Sequence, residues 1–96
     1  MHSIITEKVP GGKLLRVKVD FDEVISRIQI TGDFFLHPEE KITALEQGLA
    51  GVPVREDAEQ LAARIRQLVE ANGITLVGFA PEDLARLVAG AVQVKQ

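Results

Sequence analysis

The chain has 96 residues, of which 46% are hydrophobic and 26% charged, carries a net charge of -3 and contains no cysteine. Such a composition belongs to an ordinary globular chain forming a single domain over 1–96 around one modest core, and it excludes disulfides, thiolate metal sites and a cysteine nucleophile. Lysines and arginines are spread along the sequence, no apolar run approaches the roughly 20 residues of a membrane span, and the first residues lack both a basic region and a long apolar run, so a cytoplasmic protein binding neither nucleic acid nor membrane is expected.

Ile4, Ile5, Thr6 and Val9 give the segment 3–9 a strand-forming character, and Pro10-Gly11-Gly12 supplies the restricted and positive φ values of a turn. Leu15, Val17, Val19 and Phe21 then alternate with Arg16, Lys18, Asp20 and Asp22, a period of two that puts apolar side chains on one face of a strand over 13–20 and charged ones on the other. Ile28 and Ile30 continue the alternation against Arg27, Gln29 and Thr31 after a tight connection at Phe21-Asp22-Glu23. The three segments predict an antiparallel meander. Its edges are unprotected on the 3–9 side, where few charged gatekeepers stand.

Beyond Leu36 the period changes to 3.6. Pro38 suits the first helical turn and Glu39 and Glu40 its positive dipole end, so a helix is expected over 38–51 with Ile42, Leu45 and Leu49 as its stripe and Gly51 as its stop. Ala58, Leu61, Ala62, Ile65, Leu68 and Val69 predict a second helix, N-capped by Asp57 and ended by Asn72-Gly73, with Glu59, Arg64, Arg66 and Glu70 on its solvated side. The apolar segment 74–79 is too short for periodicity to separate a buried strand from an extended connector. Pro81-Glu82-Asp83 opens a third helix with Leu84, Leu87, Val88 and Ala91 inward. Strands followed by helices, without alternation, predict an α+β fold: a three-stranded antiparallel meander followed by three helices packed on one face.

Chemistry-bearing constellations are few. Pro10-Gly11-Gly12-Lys13 is not a P-loop, because Leu14 follows the lysine and a strand, not a helix, follows the turn. Asp20, Asp22 and Glu23 offer too few converging oxygens for a hard cation, so no metal site is expected. The two histidines, His2 and His37, and the two serines, Ser3 and Ser26, show no assembled nucleophile–base pair. No catalytic residue is assigned. Gly32-Asp33-Phe34-Phe35 is the sharpest local feature, since successive strand residues face opposite sides and two adjacent phenylalanines cannot both enter one core without a kink. A bulge at Gly32 would tuck both rings inward; otherwise one ring stays on the surface as a contact anchor.

Lys8-Val9-Pro10-Gly11-Gly12-Lys13-Leu14-Leu15 and Ile30-Thr31-Gly32-Asp33-Phe34-Phe35-Leu36, with Pro38-Glu39-Glu40 and Leu87-Val88-Ala89-Gly90-Ala91-Val92, resemble the small accessory domain of lipoate-protein ligases, here as a separately encoded subunit. The resemblance spans nearly the whole chain. It implies an accessory role in ATP-dependent activation of lipoate to lipoyl-AMP, before lipoylation of acceptor lipoyl domains, in a heterodimer with a large catalytic subunit. Lipoate, ATP and Mg2+ would then belong to the complex, with no cofactor bound by this chain alone and no activity expected of it alone. The motif positions expected to touch the partner are Lys13, Gly32, Asp33, Phe34 and Phe35. The residues by themselves leave two other readings open: an interaction module pairing through the sheet edge, and a small regulatory domain holding an apolar ligand beside Phe34 and Phe35.

Overall fold

A computed structural model describes residues 1–11 and 13–92; Gly12 of the expected glycine turn lies outside the described residues. Strands β1 (His2–Lys8), β2 (Leu14–Phe21) and β3 (Ile25–Gly32) form the expected antiparallel meander in the order β1-β2-β3. Leu15, Val17, Val19 and Phe21 are all buried, as their alternation requires. A register shift between Asp20 and Phe21 places the sheet's irregularity at the β2–β3 connection and not at Gly32, where a bulge was one of the expected arrangements.

The chain then forms β4 (Phe35–His37) and a short 3-10 turn over Glu39–Lys41 before α1 (Ile42–Leu49). The expected helix over 38–51 is therefore shorter at both ends: Pro38 keeps an extended backbone ahead of the 3-10 turn, and Ala50 is already extended. Tight turns of this kind are frequent at helix ends. Helix α2 (Ala58–Ala71) opens on a full capping box, in which Asp57 accepts from the Gln60 amide at 2.8 Å and the Gln60 side chain accepts from the Asp57 amide at 3.1 Å. Segment 74–79 contains β5 (Thr75–Val77), which pairs antiparallel with β4 as a second, two-stranded sheet. Helix α3 (Pro81–Ala91) starts on its proline, with the Asp83 carboxylate accepting from the Ala80 amide at 2.9 Å.

Helix α1 packs on β3 and α3 on β1 and β2, while α2 lies against α3 and α1. The layers meet in a core of Val17, Val19, Leu45, Leu49, Ile65, Leu84 and Val88, each fully buried. Gly48 lets the first two helices approach closely, since a Cβ there would stand 2.4 Å from Leu68 Cδ2. An ion pair from Arg86 to Glu7 at 3.0 Å, with Asp83 beside it, ties α3 to β1 and raises the Arg86 pKa, Glu7 being the larger cause. All three helices stand on one side of the main sheet, and among the described residues nothing covers the other.

The two sheet edges differ. Along β3, the Ile25 amide donates to Val52 O at 2.9 Å and the Ile25 carbonyl accepts from the Gly51 amide at 2.6 Å, so the α1–α2 connection closes that edge at one end. Farther along, the Glu46 carboxylate of α1 accepts from the Ile30 amide at 2.8 Å. A side chain thus takes the place of a neighbouring strand. Glu46→Ala is expected to cost about 1–2 kcal/mol through the unpaired, part-buried amide, read as a lowered urea midpoint with unchanged slope; an unmoved midpoint would show that water replaces the carboxylate without loss.

Candidate partner-binding surface

The end of the β1–β2 hairpin, the exit of β3 and the β4–β5 ribbon converge on one end of the molecule. The Val9 amide donates to Lys13 O at 2.9 Å and closes the hairpin, placing Lys13 and the exposed Leu14 at its end. Opposite, Gly32 ends β3 at φ +152°, so close to its neighbour that a Cβ would fall 2.1 Å from Leu14 O. The next amide, Asp33, donates to that same carbonyl at 2.9 Å. Glycine is what allows the strand to press against Leu14 and then turn away.

That turn separates the two phenylalanines. Phe34 is half-buried and meets Phe79 edge-to-face, with ring centroids 4.8 Å apart at 77°, a favourable aromatic geometry. Phe35, one residue on, is 73% exposed. Of the two arrangements the sequence left open, one ring inward and one on the surface is the one adopted. Pairing of β4 with β5 sets Phe35 directly opposite Val77, on the same ribbon face, and Leu36 opposite Leu76 on the other. Val77 is 55% exposed, which makes Phe35 and Val77 an apolar cross-strand pair in solvent. Gly78 follows at close quarters: a Cβ there would lie 3.2 Å from both Lys13 Cγ and Phe34 Cβ. A shallow depression of about 330 Å³ opens between Phe34, Phe35, Leu36, Glu39 and Ile42.

Lys13, Gly32, Asp33, Phe34 and Phe35, scattered over two segments of sequence, therefore occupy one surface. Leu14, Val77 and Gly78 complete it and were not anticipated. The exposure of Leu14 follows from strand alternation, but Val77 joins Phe35 only through a pairing between segments some forty residues apart, which no local pattern announces.

Reactive chemistry is sparse around it. Asp20 is held below the ordinary carboxylate range, first by its hydrogen bond with the His2 ring, whose Nδ1 stands 2.6 Å from Asp20 Oδ1, but it lies on the open sheet face. Glu56 is lowered likewise by Arg64, which donates to it from Nε at 2.7 Å and Nη2 at 2.5 Å near the start of α2. The first is a contact between paired residues of β1 and β2, and the second ties the loop before α2 to the helix. Ser26 Oγ donates to Asp20 O at 2.9 Å, and His2 and Ser3 sit on opposite faces of β1. Among the described residues no three of His, Asp and Glu converge closely enough to hold a metal ion. No helix among them is long and apolar enough to cross a membrane.

No family model matches the chain. "Lipoate-protein ligase A subunit 2" of Thermoplasma acidophilum is 35% identical over 85 residues, covering 86% of this chain and 85% of that protein. A solved structure of an archaeal lipoylation system, a bi-partite lipoate protein ligase and its E2 lipoyl domain from the same organism, contains a similar chain with a TM-score of 0.70 and 32% identity. The likeness covers 99% of this chain and 100% of that one.

Proposed function

The chain belongs to the lipoate-protein ligase family, on the side of its separately encoded small subunit, and we propose that it is the accessory subunit of a two-part ligase, forming a cytoplasmic heterodimer with a large catalytic subunit. The pair activates lipoate with ATP to lipoyl-AMP, which then passes to the lysine of a lipoyl domain. Lipoate, ATP and Mg2+ reside on the large subunit, and this chain contributes surface, not reacting groups. The single observation that carries the reading is the likeness in both sequence and fold over nearly the whole of both chains.

The exposed Phe35–Val77 pair, flanked by Lys13 and Leu14, is the surface that meets the large subunit. Apolar and aromatic side chains left in solvent at one end of a small domain are what a stable interface buries at its centre. Docking there raises the activation rate by closing over the site or ordering a loop of the larger subunit, so that water is kept from the acyl-adenylate.

Reconstitution tests this. Mixed at one-to-one stoichiometry with the large subunit, lipoate and MgATP, the chain is expected to raise pyrophosphate release by at least about tenfold, roughly 1.4 kcal/mol off the barrier, while forming no lipoyl-AMP by itself. A large subunit that makes lipoyl-AMP at full speed alone would refute the accessory role.

A further inference from the structure

Lysines and arginines that are dispersed in the sequence gather on the uncovered face of the main sheet. Alternation sends the even-numbered side chains of β1 and β2 to that face, and the register places Lys18 opposite Gln29, Arg16 opposite Thr31 and Asp20 opposite Arg27. Lys8, Arg16, Lys18 and Arg27 are all exposed there, against, among the described residues, the single carboxylate of Asp20, which the His2 ring already occupies. Among the described residues Arg16 donates to a hydroxyl, that of Thr6, at 3.1 Å, and none of Lys8, Arg16, Lys18 and Arg27 enters an ion pair. Beside Lys18 and Arg27 the face carries a depression of about 230 Å³. A chain with a net charge of -3 thus shows one basic side on an otherwise acidic body.

We infer that this face receives the acceptor: it is a transient docking surface for the carboxylate-bearing side of the lipoyl domain that accepts the activated acyl group. The inference rests on the accessory-subunit reading. A permanent subunit interface buries apolar anchors, and desolvating four cations that have no ion-pair partner for one would be costly. Here the anchors are at the Phe35 end, while the basic face offers charge, with Ile4 on β1 and, toward the Phe35 end, Leu14 on β2 as its sizeable apolar side chains. An acceptor must arrive, give up its lysine to acylation and leave in every cycle. Exposed complementary charge speeds encounter without prolonging the complex, because it acts on association more than on dissociation. Nucleic acid is the less favoured occupant, as among the described residues the face carries no Phe, Tyr or Trp on which a base can stack, and its His2 ring is held by Asp20.

The test uses the reconstituted complex carrying R16E, K18E and R27E together, with a milder K18Q/R27Q complex beside it. All these side chains are exposed, and circular dichroism of each complex verifies the fold. Lipoyl-AMP formation without acceptor is expected to stay at the wild-type rate. Transfer to an apo lipoyl domain should show KM for that domain raised about tenfold at low salt with kcat held, a smaller rise for the milder variant, and a salt dependence that largely disappears as the Debye length contracts below about 10 Å. Exchanging acidic residues of the lipoyl domain for lysine should restore transfer by the charge-reversed complex. Unchanged KM would overturn the inference, as would loss of lipoyl-AMP formation together with dissociation of the heterodimer, which would assign the face to the large subunit. Salt-sensitive binding of RNA by the wild-type complex, with transfer insensitive to the charge reversal, would overturn it as well. If the wild-type chain fails to stimulate lipoyl-AMP formation in the first place, the accessory reading falls and this inference with it.

Discussion

Phe35→Ala is expected to weaken the heterodimer about 30- to 1000-fold while leaving the isolated chain's stability within about 0.5 kcal/mol of wild type, because a central aromatic anchor contributes roughly 2–4 kcal/mol to an interface but an exposed one contributes little to its own fold. Phe35 is 73% exposed, and its only paired neighbour on the ribbon face is Val77, itself more than half in solvent. Phe34→Ala should behave the other way. It removes the edge-to-face partner of Phe79 and leaves a half-buried hole, so the loss, about 2–3 kcal/mol, should appear in denaturant unfolding of the chain alone. Affinity by calorimetry and stability by urea titration on both variants separate the two roles. Wild-type affinity in Phe35→Ala, or equal unfolding of both variants, would remove Phe35 as the anchor. Val77→Ala should add less than its own single effect when combined with Phe35→Ala, since directly opposed side chains share one contact and are not independent.

The contrast between adjacent phenylalanines also shows what the sequence makes legible. Period-two alternation through Leu15, Val17, Val19 and Phe21 determines which face of β2 is buried, because only one face of that sheet is covered. The capping box at Asp57 and Gln60 and the stop at Asn72 are equally local, so α2 lies where its residues place it. What the sequence does not disclose is pairing at a distance. The strands of the β4–β5 ribbon are three residues each, below the length at which periodicity speaks, and they meet across the whole of α1 and α2. For the same reason Glu46 reads as an ordinary helical glutamate until α1 is laid beside β3 and its carboxylate finds the Ile30 amide. Arg27 likewise joins Arg16 and Lys18 only through the hairpin register, which turns a scatter of basic residues into one basic face. The motif positions Lys13 and Gly32 to Phe35 come together because a meander returns its strand ends to the same side, a consequence of topology and not of their chemistry.

Gly32→Ala is expected to be among the most damaging single substitutions in the chain. The added methyl would lie 2.1 Å from Leu14 O, 3.0 Å from Leu14 C and 3.2 Å from Leu15 Cα, all backbone atoms of a strand that is held on its far side by β1. No side chain rotation relieves such a contact. The β3 end must move off β2, which breaks the hydrogen bond from the Asp33 amide to Leu14 O and draws Phe34 away from Phe79. Backbone strain of about 1–3 kcal/mol and a lost hydrogen bond of about 0.5–1.5 kcal/mol sum to about 1.5–4.5 kcal/mol. For a domain of this size that lowers the melting temperature by roughly 6–36 °C. Gly11→Ala is the control, because its φ of +102° is equally unsuited to a side chain but nothing lies within 4 Å of the new methyl; strain alone, about 1–2 kcal/mol, is expected there. The excess in Gly32→Ala measures the closeness of β3 to Leu14. Partner affinity should fall with it, since Phe35 is aimed by the chain that leaves this glycine. Equal melting temperatures for the two variants would mean that the strands part without cost, and the rigid placement of Phe35 on which the docking argument depends would have no support.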